Sequence, residues 1–244
     1  RMAELYRDVG AYQESAAAFQ AEAAEAARLN DDHAQTLALW QQGNVLLKSL
    51  DQAAAQQLLA KLEAVVAASR APSDAVRARL LLLKGELALV SRQAAKALPP
   101  LAQAEALFNT LGDLDMSARS AASLGAASRL AGDVKSARDH LQRAASLQER
   151  RGDHAVMDRL NVSLDLGGLE NGAGLHAAAV TVLTPVHADL QSRLGPEHPL
   201  TIAAVSELAL AELRQGHGQA LAVWLTRLRG STGPGDAWRD DHAA

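Results

Sequence analysis

Cysteine is absent from this sequence. Neither a disulfide framework nor a thiolate metal site is therefore available. Aromatic residues make up only 3% of the 244 positions, which leaves little material for strands built on aromatic and β-branched pairs. No run of 18 or more apolar residues occurs; the best candidate, Leu80 to Val90, is broken by Lys84 and Glu86, so no segment reads as a membrane span. Excess positive charge is lacking too. A formal net charge of −4 gives no basic footprint for a nucleic-acid surface. There is no Gly-x-Ser-x-Gly elbow and no His-Glu-x-x-His pair, so hydrolase chemistry has no anchor. Arg1 is followed by no charged-then-apolar leader, and the expectation is a cytoplasmic piece of a longer polypeptide.

What is present is periodic. The apolar fraction is 48%, much of it Ala, which suits closely packed helices. Small residues stand at Ala3, Gly43, Gly85, Gly125, Gly167 and Ala209, at steps of 40, 42, 40, 42 and 42. Seven residues later come Gly10, Leu50, Arg92, Gly132, Gly174 and Gly216. A third column follows at Ser15, Ala55, Ala97, Ala137, Ala179 and Leu221, and a fourth, large and apolar, at Phe19, Leu59, Leu101, Leu141, Leu183 and Leu225. One register across four columns is the signature of a stacked repeat array.

Each period reads as two helices. Helix A carries the first small column, which lets helix B pass at roughly 8–10 Å between axes; helix B carries the third and fourth. Gly132 closes a helix A and Asp133 caps the next helix, a stop-and-restart signal repeated near Asn30-Asp31-Asp32, Pro72-Ser73-Asp74, Gly112-Asp113 and Gly152-Asp153. The prediction is an all-α solenoid of about six helix-turn-helix repeats, twelve helices in a right-handed superhelix. The repeat domain spans 1–229, with repeats at about 1–32, 33–72, 73–114, 115–154, 155–198 and 199–229. Pro99-Pro100 and Pro185 fall inside helix B segments, where proline removes a hydrogen bond and clashes with the preceding turn; a late start or a kink is expected at both. A flexible tail is expected at 230–244, with Trp238 solvated or docked back.

The column pattern of small residue, Gly, Ala and large apolar residue resembles the tetratricopeptide repeat (TPR), and its period is closer to the longer repeats of the kinesin light chain type. Ala97-Leu98-Pro99-Pro100-Leu101 is similar to the helix start of that type, and Arg193-Leu194-Gly195-Pro196-Glu197-His198-Pro199-Leu200-Thr201 resembles its linker. Leu50 and Arg92 depart from the usual Gly, and Gln42 and Lys84 from the usual Leu. The resemblance implies a protein- or peptide-binding groove lined by helix A. It also implies, by analogy with bacterial regulators, attachment to a Ser/Thr kinase or a DNA-binding domain. Asn44 matches the Asn of carboxylate-clamp TPR grooves, but Trp40 and Leu83 stand where that clamp has Lys and Asn.

Other constellations have plain readings. The string Gly167-Gly168-Leu169-Glu170-Asn171-Gly172-Ala173-Gly174 lacks the Lys and Ser or Thr of a phosphate loop. His176, His187 and His198 are spaced by 11, too far apart for a helical metal pair, and read as surface or linker histidines. Asp32-His33 and Asp153-His154 sit at turns, where Asp caps helices.

Inward positions of helix A lie six and three before the small column, and one and four after it. They supply the candidate binding residues Trp40, Asn44, Arg79, Arg119, Arg129, Asn161 and Asn171. Asn can pair with a peptide backbone, Arg with a carboxylate, and Trp40, taken as exposed, suits an interface anchor. No catalytic residue, cofactor or metal is expected. The leading reading is a non-enzymatic binding scaffold, the regulatory or sensor module of a larger bacterial signalling protein. A structural array that self-associates and an enzyme with a site between repeats remain as alternatives.

Overall fold

In the computed structural model residues 2–231 are described, in twelve α-helices and one short 3₁₀ turn. No strand occurs among the described residues. The helices are α1 (Met2–Asp8), α2 (Tyr12–Arg28), α3 (Asp32–Lys48), α4 (Gln52–Ala68), α5 (Asp74–Val90), α6 (Ala94–Leu111), α7 (Leu114–Leu130), α8 (Val134–Arg150), α9 (Val156–Gly172), α10 (His176–Leu194), α11 (Pro199–Gln215) and α12 (Gly218–Ser231). Helix α12 thus runs past the expected start of the tail; the remainder of that tail, with Trp238, lies outside the described residues.

The chain divides into two compact units, Arg1–His140 and Leu141–Ala244, with the boundary inside α8. In the first unit each helix from α1 to α7 packs on the next, and α3 also packs on α5, and α5 on α7. In the second, α9, α10, α11 and α12 pack in sequence and α9 packs on α11. This pairing with the next helix and with the next helix A is that of an α-solenoid. The core of unit 1 gathers Leu39, Leu62, Leu82, Leu83, Leu101 and Phe108; that of unit 2 gathers Leu160 with Leu190, and Leu183 with Leu208.

The second column explains how each helix A stops. Gly10, Leu50, Arg92, Gly132, Gly174 and Gly216 all take positive φ, between 56° and 82°. At each, the amide of the residue itself and that of the next one turn back onto the last helical carbonyls, as in Leu50 to Leu47 at 3.2 Å and Asp51 to Leu46 at 3.1 Å. Leu50 and Arg92, which stand where Gly is usual, nonetheless take the left-handed conformation. The restart is side-chain capping: Asp31, Asp51, Ser73 and Asp113 each accept the amide three residues on, which satisfies a donor that the helix leaves orphaned. Asp31, not Asp32, is the cap of α3. His198 caps α11 through Nδ1, with Pro199 in the first turn.

The first column is a set of close approaches. A Cβ at Gly85 would collide with the Leu101 side chain, and one at Gly167 with the Leu183 side chain. Gly43 instead faces Leu83 at 2.6 Å and Leu58 at 3.3 Å. In α4 the buried side chain is Leu58 and not Leu59, so the apolar face of that helix is turned by one position. Leu225 is also not the core residue expected in α12; it is 41% exposed, and Trp224 packs on the Leu183–Leu208 cluster in its place.

The prolines produce no late start. Helix α6 begins at Ala94 and passes through Pro99 and Pro100, and α10 passes through Pro185. The carbonyls that lose their partners are those four residues earlier, at Ala95, Lys96 and Thr181, all exposed residues. Water can serve a carbonyl freed on a solvent face.

Candidate functional site

Stacking of α3, α5 and α7 in unit 1 brings together four of the seven candidates. Arg119, on α7, donates from Nε to Glu86 Oε1 at 2.8 Å and from Nη2 to Glu86 Oε2 at 2.6 Å. The same Nη2 reaches the Asn44 Oδ1 on α3, at 2.8 Å. Ser123 Oγ donates to Glu86 at 3.2 Å. A bidentate guanidinium–carboxylate pair is among the stronger polar contacts. Burial works against the Arg119 charge, but Glu86 outweighs it and holds the guanidinium above its ordinary pKa.

Trp40 lies in the middle of this network. The Cζ atoms of Arg79 and Arg119 each stand 5.6 Å from its ring centroid, within cation–π range. Trp40 is therefore not the exposed anchor expected; only 6% of it is accessible, because the two guanidiniums cover it. Two donors here have no acceptor: Trp40 Nε1 and Arg79 Nε are buried and unpartnered. Such a group costs about 1–3 kcal/mol. Arg129, at the end of α7, is exposed and joins none of these contacts.

In unit 2, Asn171 on α9 is 7% exposed. Its Nδ2 donates to the Glu207 backbone oxygen at 2.9 Å and to Glu207 Oε2 at 2.7 Å. Its Oδ1 lies 3.3 Å from His176 Nδ1. Asn161, ten residues before Asn171 on the same helix, is exposed and stands apart.

Glu86, Ser123 and Glu207 complete what the candidates begin. Ser123 and Glu207 both lie two before the small column, a position the inward-facing set omitted. At about 100° per residue it falls near 160° from the column, beside the position six before, near 120°.

Among the described residues no group of three or more His, Asp or Glu side chains converges. His187 is buried, not a surface residue, with its ring 5.1 Å from that of Trp224, edge to face. Burial, aided by Arg227, lowers its pKa below the usual value. The glycine-rich string 167–174 is the end of helix α9 and its left-handed stop at Gly174, not a phosphate loop. No helix among the described residues is long and apolar enough to cross a membrane.

Helix pairs with a small residue at each A–B contact, stacked through their A helices, define an α-solenoid of TPR-like repeats. Solved structures share that fold. The chain matches BtubC (BKLC) from P. vanneervenii with a TM-score of 0.75 and 16% identity, over 91% of each chain. It also matches a Podosopora anserina chain described as a kinesin light chain with nearly identical TPR-like repeats, with a TM-score of 0.66 and 21% identity, over 79% of this chain and 92% of that one. A single-residue variant of the latter gives the same figures. No family model matches the chain, and no curated protein matches it.

Proposed function

We propose that this chain is a non-enzymatic scaffold that recognises a protein or peptide segment along its A helices. The observation that carries this reading is the pair of buried, acceptor-less donors, Trp40 Nε1 and Arg79 Nε. The Arg79 guanidinium meets no carboxylate among the described residues, and it covers the Trp40 ring from the neighbouring helix A. A backbone carbonyl or carboxylate of a partner satisfies them once Arg79 swings off the ring. In unit 1 Arg119 and Asn44 hold the frame while Arg79 and Arg129 are contacts for a segment; in unit 2 Asn161 and Asn171 are the contacts. The fuller reading, a regulatory or sensor module in a larger bacterial signalling protein, rests on the likeness of the Gly195–Thr201 linker to repeats found in such proteins.

The test uses the immobilised chain to capture partners, followed by affinity measurements on the Arg79→Met variant. This change keeps the apolar stem on Trp40 and removes the charge and the orphan donor. Stability should stay within about 0.5 kcal/mol, and affinity should fall about 5- to 30-fold, equivalent to about 1–2 kcal/mol. Unchanged affinity moves the site to helix B or to the Gly195–Thr201 linker.

A second reading, an array that self-associates, is favoured by the N-terminal end, where Met2 and Leu5 on α1 and Val9 just after it are all more than half exposed. Light scattering of the parent and of Leu5→Glu separates the two. A dimer in the parent that the variant abolishes supports self-association, and a monomer in both excludes it.

A further inference from the structure

Glu207 of unit 2 is an acidic side chain with no basic partner among the described residues. Asn171 holds it at two points, one amide hydrogen on its backbone oxygen and the other on Oε2. Asn171 is in turn fixed by His176. With Asn171 Oδ1 as acceptor, the His176 Nδ1 carries the hydrogen, and Nε2 is the other ring nitrogen. The remaining oxygen, Oε1, faces Gly168, where even a Cβ would stand 3.7 Å away. Gly168, Gly172, Asn171, His176, Glu207 and Arg214 line a cavity of about 470 Å³. Arg214 is two turns from Glu207 on α11, yet among the described residues no basic group pairs with this carboxylate.

We propose that this cavity binds a primary ammonium group of the partner polypeptide, with Glu207 Oε1 as its counter-ion and His176 Nε2 as a second acceptor. The proposal rests on the peptide-binding reading above and gives it a chemical preference. Asn171 takes one lone pair of Oε2, which leaves Oε1 as the oxygen with no partner of its own. An ammonium is a compact point charge that a single oxygen can meet. A peptide N-terminus and a lysine side chain both carry this group.

The experiment titrates three peptides into the ¹⁵N-labelled chain: Ala-Ala-Leu-Ala amide with a free N-terminus, its N-acetyl form, and N-acetyl-Ala-Lys-Leu-Ala amide. The resonances followed are the Gly168 and Gly172 backbone amides and the Asn171 side-chain amide. A saturable shift with the first or the third peptide, and none with the neutral second, supports the ammonium site and tells which source fits. Glu207→Gln, which keeps an acceptor for Asn171, should weaken this binding at least tenfold. Gly168→Leu fills the space in front of Oε1, leaves Glu207 in place, and should do the same. Equal shifts with the neutral peptide, no shift with any of the three, or unchanged binding to Glu207→Gln overturns the proposal. If a captured partner still binds the parent while all three peptides fail, the ammonium site is wrong and the scaffold reading stands.

Discussion

The A-helix faces of the two units use the same device with opposite results. In each, a buried Asn reaches from one helix A to a charged residue on a later one: Asn44 to Arg119 in unit 1, Asn171 to Glu207 in unit 2. In unit 1 the charge is answered internally, because Glu86 takes the Arg119 guanidinium by two bonds. In unit 2 no cation among the described residues answers the carboxylate. The difference separates two roles that a polar groove residue can have. Arg119 ties three repeats together and serves stability, whereas Glu207 is held ready and serves binding.

The sharpest way to break this comparison is Arg119→Ala. It strands Glu86, whose side chain is only 13% exposed, and leaves Asn44 without its donor. Removing one member of a fully buried pair costs about 3–5 kcal/mol; with 37% of the Arg119 side chain still exposed, about 2–3 kcal/mol is expected in urea unfolding. Glu207→Gln is the counterpart in unit 2 and should stay within about 0.5 kcal/mol of the parent. Equal losses for the two variants would erase the distinction.

The scaffold beneath should respond alike in both units. Gly85→Ala drives a methyl into Leu101 in unit 1, and Gly167→Ala one into Leu183 in unit 2. Each is expected to cost about 1–3 kcal/mol by thermal or urea unfolding, as is Ala137→Leu at a site with no accessible surface. A silent variant would place the close approach elsewhere in that unit.

These positions were legible in the sequence because they repeat. A small residue at a close helix approach, or a residue that must turn left-handed, recurs at every period and averages out local noise. The periodicity even reached Leu50 and Arg92, which look like exceptions by residue type but not by backbone. The network was not legible. Arg119 and Glu86 are 33 residues apart and Arg119 and Asn44 are 75 apart, so their pairing exists only once the repeats are stacked. Trp40 was taken as exposed since nothing local shows that two arginines from later repeats cover its ring. Leu58 and Leu59 are adjacent leucines, and only the packing of α4 decides which one turns inward.

The smallest effect concerns the left-handed stops. Unit 1 stops two of its A helices on Leu50 and Arg92, at φ of 60° and 56°, beside Gly10 and Gly132, while unit 2 uses Gly174 and Gly216. A side chain in this conformation costs about 1–2 kcal/mol, and Gly gives part of that back through a freer unfolded chain. Leu50→Gly, which removes a side chain 72% exposed, and Arg92→Gly should each raise stability by about 0.5–1 kcal/mol. Gly174→Ala should lower it by about 1 kcal/mol. Melting temperatures that move the other way would mean that the Leu50 and Arg92 side chains make contacts worth more than the strain.

The most direct test of the central claim, that the A helices form the recognition surface, is hydrogen exchange on the chain with and without a captured partner. Slower exchange in α3, α5 and α7, and at α9 and α11 around Asn171 and Glu207, is the predicted result. Protection confined to α2, α4, α6 and α10, or to the Gly195–Thr201 linker, would contradict it.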